Sequence, residues 1–231
     1  MQLRDKVVLI TGASGGLGTS VTGAFLDAGA RVIGVSRAVS ASDIPREVYF
    51  ALAAELSSSE QARAMVETAA SKWGRVDALV HLVGGFAGGH AVSETDDATF
   101  DKMLDLNLRS AFLVIRSVLP RMRAQQAGRI IAIASKAAAG PSPMAGIYGA
   151  SKAALVSLIQ TVSRENSGMG ITANVILPGT MDTPANRTAD PRADPAKWIQ
   201  PRSVADLLVY LVSDAGAQIS GTAIPVDGGQ A

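Results

Sequence analysis

Short apolar runs rich in β-branched residues alternate with longer segments of helical spacing along almost the whole chain. The segments with helical spacing lie near residues 17–28, 59–73, 98–124, 148–166 and 203–213. The runs predict strands at Val7–Ile10, Arg31–Val35, Tyr49–Leu52, Ala78–Val83, Arg129–Ala134, Ile171–Leu177 and Ala223–Val226. Because strands that are apolar on both faces must be covered on both faces, the alternation predicts an α/β fold with a doubly wound parallel sheet and helices on both sides.

The chain shows no sign of a boundary between domains. No repeat of fixed period and no low-complexity linker interrupts its 231 residues. Apolar residues make up 48% of the chain and charged residues 18%, which is enough material for one large core. A single domain over residues 1–231 is therefore predicted.

Composition argues against several classes of partner. The formal net charge is +1, with 21 basic and 20 acidic side chains and no basic run, so a nucleic-acid partner is not expected. The chain has no cysteine, and His81 and His90 lack the spacing of metal ligands, so no metal site is predicted. No apolar run approaches the roughly 20 residues that span a bilayer, and the amino terminus lacks a signal-like stretch. These features predict a cytoplasmic protein without a membrane partner.

A glycine-rich turn follows the first predicted strand and leads directly into a helical segment. Such a turn lets the backbone approach a pyrophosphate closely, with the helix amino terminus facing its negative charge. In this position it indicates a dinucleotide site on a Rossmann-type sheet. The residues expected to contact the nucleotide are Gly12, Ser14, Gly16, Leu17 and Gly18.

The second predicted strand ends in Ser36 and Arg37. An acidic residue at this point would bind the ribose hydroxyls of NAD(H), whereas an arginine can pair with the 2′-phosphate of NADP(H). The pair therefore favours NADP(H), with NAD(H) still possible. The alternative is that Arg37 is an ordinary solvated charge of a loop.

Tyr148 and Lys152 stand four residues apart at the start of a helical segment, so their side chains share one face. A nearby ammonium favours phenolate over phenol, which predicts a lowered pKa for Tyr148. Such a tyrosine can protonate the alkoxide that forms when a hydride reaches a carbonyl. Ser135 ends a predicted strand, where its hydroxyl could hold the substrate oxygen.

Together these residues resemble the short-chain dehydrogenase/reductase family over essentially the whole chain. The glycine turn, Ser135 and the pair of Tyr148 and Lys152 occur in the family's order, with Ser135 thirteen residues before Tyr148. Further matches are Asn107, Pro178-Gly179, Ile219-Ser220-Gly221 and Val226-Asp227-Gly228-Gly229. The resemblance implies an oxidoreductase that moves a hydride between a nicotinamide dinucleotide and a carbonyl or alcohol, and an assembly as a homodimer or homotetramer.

The resemblance also implies a role for each member of a catalytic tetrad. Tyr148 would be the acid/base, Ser135 would orient the carbonyl, and Lys152 would bind the nicotinamide ribose and lower the tyrosine pKa. Asn107 would hold a water in the proton relay. The residue itself agrees, since asparagine is a poor helix former that could expose a local carbonyl. The alternative for Asn107 is a solvated helix residue.

The remaining cofactor contacts are implied by the same resemblance. Thr183 matches the hydroxyl that contacts the nicotinamide carboxamide, and Glu55 and Leu56 stand where the family places its adenine contacts, although aspartate is more usual than Glu55. The backbone at Gly84 and Gly85 would approach the cofactor. The full implied set is Gly12, Ser14, Gly16, Leu17, Gly18, Ser36, Arg37, Glu55, Leu56, Gly84, Gly85, Tyr148, Lys152, Pro178, Gly179 and Thr183.

One departure from the family concerns the stretch after the fourth strand. Where the family carries Asn-Asn-Ala-Gly, this chain has Leu82-Val83-Gly84-Gly85, so the asparagines that brace the central sheet are missing. This stretch and residues 177–187 are similar to the dihydropteridine reductase branch, whereas the rest of the chain is similar to the 3-oxoacyl-carrier-protein reductase type. No single substrate follows from the two resemblances.

The substrate side is expected in the polar, proline-containing segment of residues 183–201, which in the family forms a lid and here is short. The candidates for the pocket wall are Phe86, His90, Met144, Ile147 and Trp198, with ordinary packing as the alternative for each. The methionines and leucines of residues 98–124 could form an intersubunit face, although the pattern alone assigns them to the core.

Three readings of function remain open at this point. The first is an NADP(H)-dependent carbonyl reductase or alcohol dehydrogenase. The second is an NADH-dependent enzyme similar to dihydropteridine reductase, and the third is an inactive dinucleotide-binding regulatory protein. The four tetrad residues at the family's spacing favour the enzyme, because a binding module has no chemical need for them.

Overall fold

A computed structural model describes residues 2–38 and 47–228 of the chain. In these ranges seven strands form one sheet in the order β3-β2-β1-β4-β5-β6-β7, and every neighbouring pair is parallel. The strands are β1 (Val7–Thr11), β2 (Arg31–Ser36), β3 (Tyr49–Ala53), β4 (Ala78–His81), β5 (Gly128–Ile133), β6 (Ile171–Pro178) and β7 (Ala223–Val226). The predicted doubly wound parallel sheet is confirmed.

Helices cover both faces of this sheet. They are α1 (Gly18–Asp27), α2 (Ser59–Trp73), α3 (Asp97–Leu104), α4 (Ser110–Gln125), α5 (Gly146–Glu165), α6 (Pro184–Ala189) and α7 (Pro201–Val212). The core on one face is built with α1 and α7, and the core on the other face with α2, α4 and α5. Successive strand residues point to opposite faces, so in β1 Val7 and Leu9 enter one core while Val8 and Ile10 enter the other.

Two predicted elements differ from the structure. The predicted helix over residues 98–124 is interrupted by a π-helical turn, Asp105–Arg109, between α3 and α4. The fourth strand, predicted to reach Val83, ends at His81, and Leu82 keeps only a backbone hydrogen bond from its N–H to the carbonyl of Thr11. Both differences lie at the edge where the site forms.

The methionines of the predicted intersubunit face are in the core. Met103 and Met122 are fully buried within the chain, as are Leu113 and Leu119 to more than nine-tenths. Met122, Leu113 and Leu119 pack inward because α4 presents this face to the sheet. Gly229 of the carboxy-terminal motif lies outside the described residues.

All strands run in one direction, so their carboxyl ends meet at one edge of the sheet. β1 and β4 are neighbours in the sheet, and α1, which follows β1, packs on one face whereas α4, between β4 and β5, packs on the other. Such a point opens a crevice outside the strand ends, where ligands bind in open α/β sheets. The fold therefore places the glycine turn after β1 and the segment after β4 on the two sides of one crevice.

Replacement of the fully buried Phe25 by alanine tests the core between α1 and the sheet. We expect Phe25→Ala to lower the free energy of unfolding by about 3–5 kcal/mol, because it removes a large side chain and leaves a cavity. The measurement is urea denaturation followed by circular dichroism. Phe100, which is 44% exposed on α3, is the matched control, and its replacement by alanine should change stability by less than about 0.5 kcal/mol. Equal losses for the two variants would contradict the assigned packing.

Candidate active site

The glycine turn joins β1 to α1 through a tight path. Gly12 has a left-handed backbone with φ of 77°, and its N–H donates to the carbonyl of Val35 in β2 over 2.8 Å. A Cβ on Gly18 would lie 2.1 Å from the carbonyl oxygen of Gly12, so only glycine fits there. Ser14 and Gly16 are exposed at the top of the turn, whereas the Leu17 side chain is buried in the core below it. The turn thus offers an open backbone surface at a helix amino terminus.

The end of β2 lies beside this turn. The hydroxyls of Ser14 and Ser36 share a hydrogen bond, which fixes the two segments side by side. Arg37 follows directly and is exposed. Beyond the end of β3, Glu55 is exposed and Leu56 packs partly against the core. The structure therefore brings Ser14, Ser36 and Arg37 together.

Ser135, Tyr148 and Lys152 converge at the carboxyl end of β5. Ser135 lies two residues after the strand, and its hydroxyl accepts a hydrogen bond from the N–H of Ala137 over 3.2 Å and is hydrogen-bonded to Tyr148. Tyr148 is the third residue of α5, and Lys152 follows one turn later. The buried ammonium of Lys152 donates to the carbonyl of Ile133 over 2.9 Å.

Burial sets the pKa of both ionisable groups. It raises the pKa of Tyr148 above 10.0, and the hydrogen bond from Ser135, which acts in the opposite direction, does not compensate. It lowers the pKa of Lys152 to about 8. The lowered tyrosine pKa that the sequence predicted is therefore wrong for the residues of this chain alone, because desolvation of the phenolate outweighs its favourable neighbours.

Asn107 is the centre of the π-helical turn and is fully buried, which rules out the solvated reading. Its Nδ2 donates to the carbonyl of Gly85 and to the hydroxyl of Ser151, each over 3.0 Å, and its Oδ1 accepts from the N–H of Gly85 over 2.9 Å. A Cβ on Gly84 would lie 2.8 Å from this Oδ1 and 2.9 Å from Nζ of Lys152. The glycine pair thus lets the amide of Asn107 and the ammonium of Lys152 approach the same short stretch of backbone.

His81 is a site residue that the sequence reasoning missed. It is fully buried at the end of β4 and contacts β1 and α4 at once. Its Nδ1 lies 2.9 Å from Oγ1 of Thr11, and its Nε2 lies 3.3 Å from Oγ of Ser110. The available signal was a polar residue at the end of the apolar run from Ala78 to Val80. This chain lacks the asparagines that brace the central sheet in the family. His81, directly before Leu82-Val83, links the central strands instead.

The hydrogen bonds around His81 determine its tautomer. The single hydroxyl proton of Ser110 is donated to the carbonyl of Leu106 over 2.7 Å, so this oxygen must accept from Nε2–H of His81. Nδ1 of His81 then accepts from the hydroxyl of Thr11. Burial, assisted by the ammonium of Lys152, lowers the pKa of His81 to about 3. The imidazole is therefore neutral and serves as a brace, not as an acid or base.

The lid side of the site begins after β6. Gly179 donates to the carbonyl of Val226 over 3.0 Å, which holds Pro178-Gly179 at the sheet edge. Thr183 caps α6 by accepting from the N–H of Asn186, and its side chain lies against Gly16 of the glycine turn. The predicted cofactor residues Gly16 and Thr183 are thus neighbours.

The candidates for the pocket wall divide into two groups. The ring of Phe86 packs edge-on against the ring of Tyr148 with centroids 4.9 Å apart, and the backbone of Met144 is hydrogen-bonded to the same loop. Ile147 is half-buried beside Tyr148. None of the contacts described for the chain joins His90 or Trp198 to Tyr148; His90 is exposed near Asp96, and Trp198 is half-buried after α6.

Residues 2–38 and 47–228 contain neither a cluster of metal ligands nor a membrane-spanning helix. No three side chains of the histidine, aspartate or glutamate type are grouped there as metal ligands. No helix in the same ranges combines the length and the apolar character needed to cross a membrane.

The buried His81 makes stability depend on pH with a definite sign. Its pKa is about 3 in the folded protein and about 6.5 when unfolded, so the unfolded chain binds the extra proton and stability falls as the pH drops below 6.5. At about pH 4.5 this loss reaches about 2.7 kcal/mol, at 1.36 kcal/mol per unit. Lys152 contributes nothing to this loss, since it is charged in both states well below its folded pKa of about 8.

The test compares wild type with His81→Gln, in which an amide keeps one donor and one acceptor but cannot titrate. Urea denaturation at about pH 7 and about pH 4.5 should show a smaller loss of stability in the variant, by about 2–3 kcal/mol. Other titrating groups are common to both proteins and cancel. The same loss in both proteins would mean that His81 is protonated in the folded state.

Comparison with known proteins agrees with this geometry. The chain matches the short chain dehydrogenase family profile over residues 6–194. It is 30% identical to the 3-oxoacyl-[acyl-carrier-protein] reductase of Thermotoga maritima, over 99% of each chain. It is 31% identical to the 2-dehydro-3-deoxy-D-gluconate 5-dehydrogenase of Pseudoalteromonas atlantica, over 98% of this chain and 96% of that relative.

Two solved structures show the same architecture with a nucleotide. ElxO with NADP bound has a TM-score of 0.92 at 25% identity, covering 97% of this chain and 98% of that one. The 3-ketoacyl-(acyl-carrier-protein) reductase of Brucella melitensis, complexed with NADH, has a TM-score of 0.88 at 29% identity and covers 99% of each chain. With its parallel sheet, its glycine turn and its match along the chain, this protein belongs to the short-chain dehydrogenase/reductase family and is an NAD(P)-dependent oxidoreductase acting on CH–OH or C=O groups.

Proposed function

We propose that the protein is an NADP(H)-dependent carbonyl reductase or alcohol dehydrogenase in which Tyr148 is the acid/base. The observation that carries the proposal is the hydrogen bond between Ser135 and Tyr148, with Lys152 one helical turn away at the same sheet edge. These groups lie across the crevice from the glycine turn. They would serve the nicotinamide end of a dinucleotide held by the turn.

The residues present fit a nicotinamide dinucleotide. The exposed backbone of residues 14–16 at the start of α1 suits a pyrophosphate. The close backbone contacts of the turn leave no room for a side chain at Gly18 and little at Gly12. Glu55 and Leu56 would border the adenine, while Gly84, Gly85, Pro178, Gly179 and Thr183 would surround the nicotinamide end. The reduced nicotinamide supplies a hydride to the carbonyl carbon of the substrate.

The chain's own groups would handle the oxygen and the proton. The hydroxyls of Ser135 and Tyr148 would donate to the carbonyl oxygen, which gains negative charge as its carbon becomes an alcohol carbon. That oxygen takes the proton of Tyr148, and Lys152 stabilises the resulting phenolate until the tyrosine regains a proton from solvent. The raised pKa of Tyr148 keeps the phenol protonated at neutral pH, which is the state that carbonyl reduction requires.

Asn107 would act by holding the site together. Its side-chain donors are used by Gly85 and Ser151, so a water of the proton relay would bind a backbone carbonyl of the π-helical turn and not this amide. The proposed relay therefore depends on the shape of the turn. We propose Asn107 as the fourth member of the tetrad in this sense.

The lid and the assembly belong to the same proposal. We propose one domain with a short lid near residues 183–201, which the contact of Thr183 with Gly16 supports. A homodimer or homotetramer would use the outer face of α4 and α5, where Leu104, Leu108, Phe112 and Leu158 line an open apolar depression. Phe112 is 42% exposed there.

The acid/base role is tested by Tyr148→Phe, which removes one hydroxyl and keeps the ring. We expect turnover of carbonyl substrates to fall by at least about 100-fold, because general acid catalysis is lost, while NADPH still binds. Stopped assays of NADPH oxidation and fluorescence titration measure the two properties. Tyr210→Phe, on α7 against the opposite core, is the control and should stay active. A fully active Tyr148→Phe enzyme would remove Tyr148 from the mechanism.

Cofactor choice is tested by Arg37→Asp. We expect the variant to bind NADPH about 10- to 100-fold more weakly, since a charged hydrogen bond to the 2′-phosphate is lost and a repulsion is added, with NADH affected far less. Arg121→Asp, an exposed arginine on α4, is the matched control. Equal weakening of both nucleotides would mean that Arg37 does not read the phosphate. A wild type that prefers NADH would point to the dihydropteridine reductase type, and one that binds neither would point to an inactive regulatory protein.

A further inference from the structure

Three large apolar side chains are left exposed beside Tyr148. Phe86 is 69% exposed, Val92 is 69% exposed and Met144 is 51% exposed. In the described part of the chain they make up half of the large apolar side chains with such exposure, and the others are Val48, Phe100 and Phe112. Exposed apolar side chains that gather at one place, instead of lying scattered, mark a binding surface. We call Phe86, Val92 and Met144 the apolar rim.

Direct contacts hold the apolar rim in one place. Phe86 packs on the ring of Tyr148 with centroids 4.9 Å apart. The N–H of Gly89 donates to the carbonyl of Met144 over 2.7 Å, which joins the loop after β4 to the loop before α5. A Cβ on Gly146 would lie 2.9 Å from Cγ2 of Val92, so Val92 lies against the first turn of α5. Phe86 therefore contacts the catalytic ring, and Val92 and Met144 lie in the segments joined to it on either side.

Met144 has an unusual backbone conformation. Its φ of 61° is in the left-handed region, which is unfavourable for a residue with a side chain of this size. Residues held in such conformations persist where the surrounding structure imposes them, and they cluster at ligand sites. Here the conformation leaves the thioether side chain exposed at the rim. Methionine is flexible and polarisable, which suits contact with an apolar ligand of irregular shape.

The stretches immediately around Phe86 and Met144 contain no ionisable side chain. His90 and Lys136 lie just outside them, and Nζ of Lys136 is 4.0 Å from the carboxylate of Asp227. Residues 82–89 read Leu-Val-Gly-Gly-Phe-Ala-Gly-Gly, and residues 137–147 read Ala-Ala-Ala-Gly-Pro-Ser-Pro-Met-Ala-Gly-Ile. A carboxylate or phosphate on the substrate would need an arginine or lysine as partner at this wall. The wall offers hydrocarbon, an aromatic ring and a thioether in its place.

We propose that the substrate is a carbonyl compound with an uncharged, apolar ring or hydrocarbon group next to the carbonyl, and that this group lies on the apolar rim. The inference rests on the proposed function, since it concerns the same site, and it adds the substrate class. The carbonyl reaches Ser135 and Tyr148, and the apolar group covers Phe86, Val92 and Met144. Phe86 is then a specificity-determining residue, because it contacts both the catalytic ring and the substrate.

The lid is the place where a charged substrate would find a partner. Arg187 is already paired with the carboxylate of Asp182, whereas Arg192 is exposed on the same segment. The proposal therefore separates two outcomes. An uncharged substrate uses the rim, and an anionic one would need a cation from outside it, such as Arg192.

The experiment compares three ketones with the wild-type protein and NADPH. Ethyl benzoylformate has a phenyl ring and no charge, benzoylformate has the ring and a carboxylate, and ethyl pyruvate has neither ring nor charge. We expect kcat/KM for ethyl benzoylformate to exceed each of the others by at least about 10-fold, in line with the discrimination that apolar pockets achieve. A preference for benzoylformate would overturn the inference, whether or not Arg192→Ala reduces it, as would equal values for the two esters.

A variant of the rim supplies the second arm. Phe86→Ala should lower kcat/KM for ethyl benzoylformate by about 10-fold and leave ethyl pyruvate within about twofold, because only the ring contact is lost. Phe100→Ala, which removes another exposed ring outside the rim, should change neither value. An equal loss for both esters would show that Phe86 acts on the catalytic tyrosine and not on the substrate ring.

A binding measurement tests the apolar rim independently of the proposed function. If the wild type reduces none of the three ketones, the proposed function fails. The rim is then judged by saturation-transfer NMR with acetophenone, an uncharged aryl ketone. Transfer to the phenyl protons that is strong in wild type and at least about threefold weaker in Phe86→Ala supports the rim as an apolar subsite. Transfer that is absent, or the same in both proteins, overturns it.

Discussion

The parallel pairing of β1 with β4 is the constraint on which the rest of the site depends. Thr11 and His81 are partners in register at the ends of these strands, and the chain leaves them into two glycine-rich segments. Their side chains are hydrogen-bonded to each other, and Ser110 carries the link to α4. Because the imidazole is neutral and each ring nitrogen has a complementary partner, this brace stabilises the edge without burying a charge. The glycine turn and the π-helical turn are thereby held at a fixed separation.

Desolvation decides the chemistry of the groups built on this edge. It raises the pKa of Tyr148 and lowers that of Lys152 to about 8, so both shifts favour the neutral forms. Negative charge on a substrate oxygen or on the phenolate reverses this preference, since it provides the ammonium with a counter-ion in a medium of low polarity. The site therefore disfavours charge on Tyr148 and Lys152 until negative charge develops on the substrate oxygen. Perturbed groups of this kind are typical of functional sites.

Local patterns were sufficient to predict the sheet and the glycine turn, and the resemblance to the family implied that Ser135 acts with Tyr148. The interruption of the long helix at Asp105–Arg109 was not predictable, because the π-helical turn is fixed by Asn107 reaching Gly85 and Ser151, 22 and 44 residues away. The role of His81 depends on Thr11, 70 residues earlier. The direction of the tyrosine pKa depends on burial, which no spacing in the sequence records. The features that could not be predicted are therefore those that depend on contacts between residues far apart in the sequence.

The sheet edge has a polar part, whose residues are buried and hydrogen-bonded, and an apolar part, whose residues are exposed. In the proposed function, the polar part determines the reaction and the apolar part determines substrate specificity. In the polar part, Asn107, His81 and Lys152 each make hydrogen bonds within the chain, so a change there leaves buried groups unpaired at a cost of about 1–3 kcal/mol each. In the apolar part, the side chains of Phe86 and Met144 are exposed and carry no group that needs a hydrogen-bond partner. Substitution at the rim can therefore alter the shape that a substrate meets without disturbing the machinery below it. The catalytic groups are expected to tolerate little change, whereas the rim is the part of the site that can be adapted to a particular carbonyl compound.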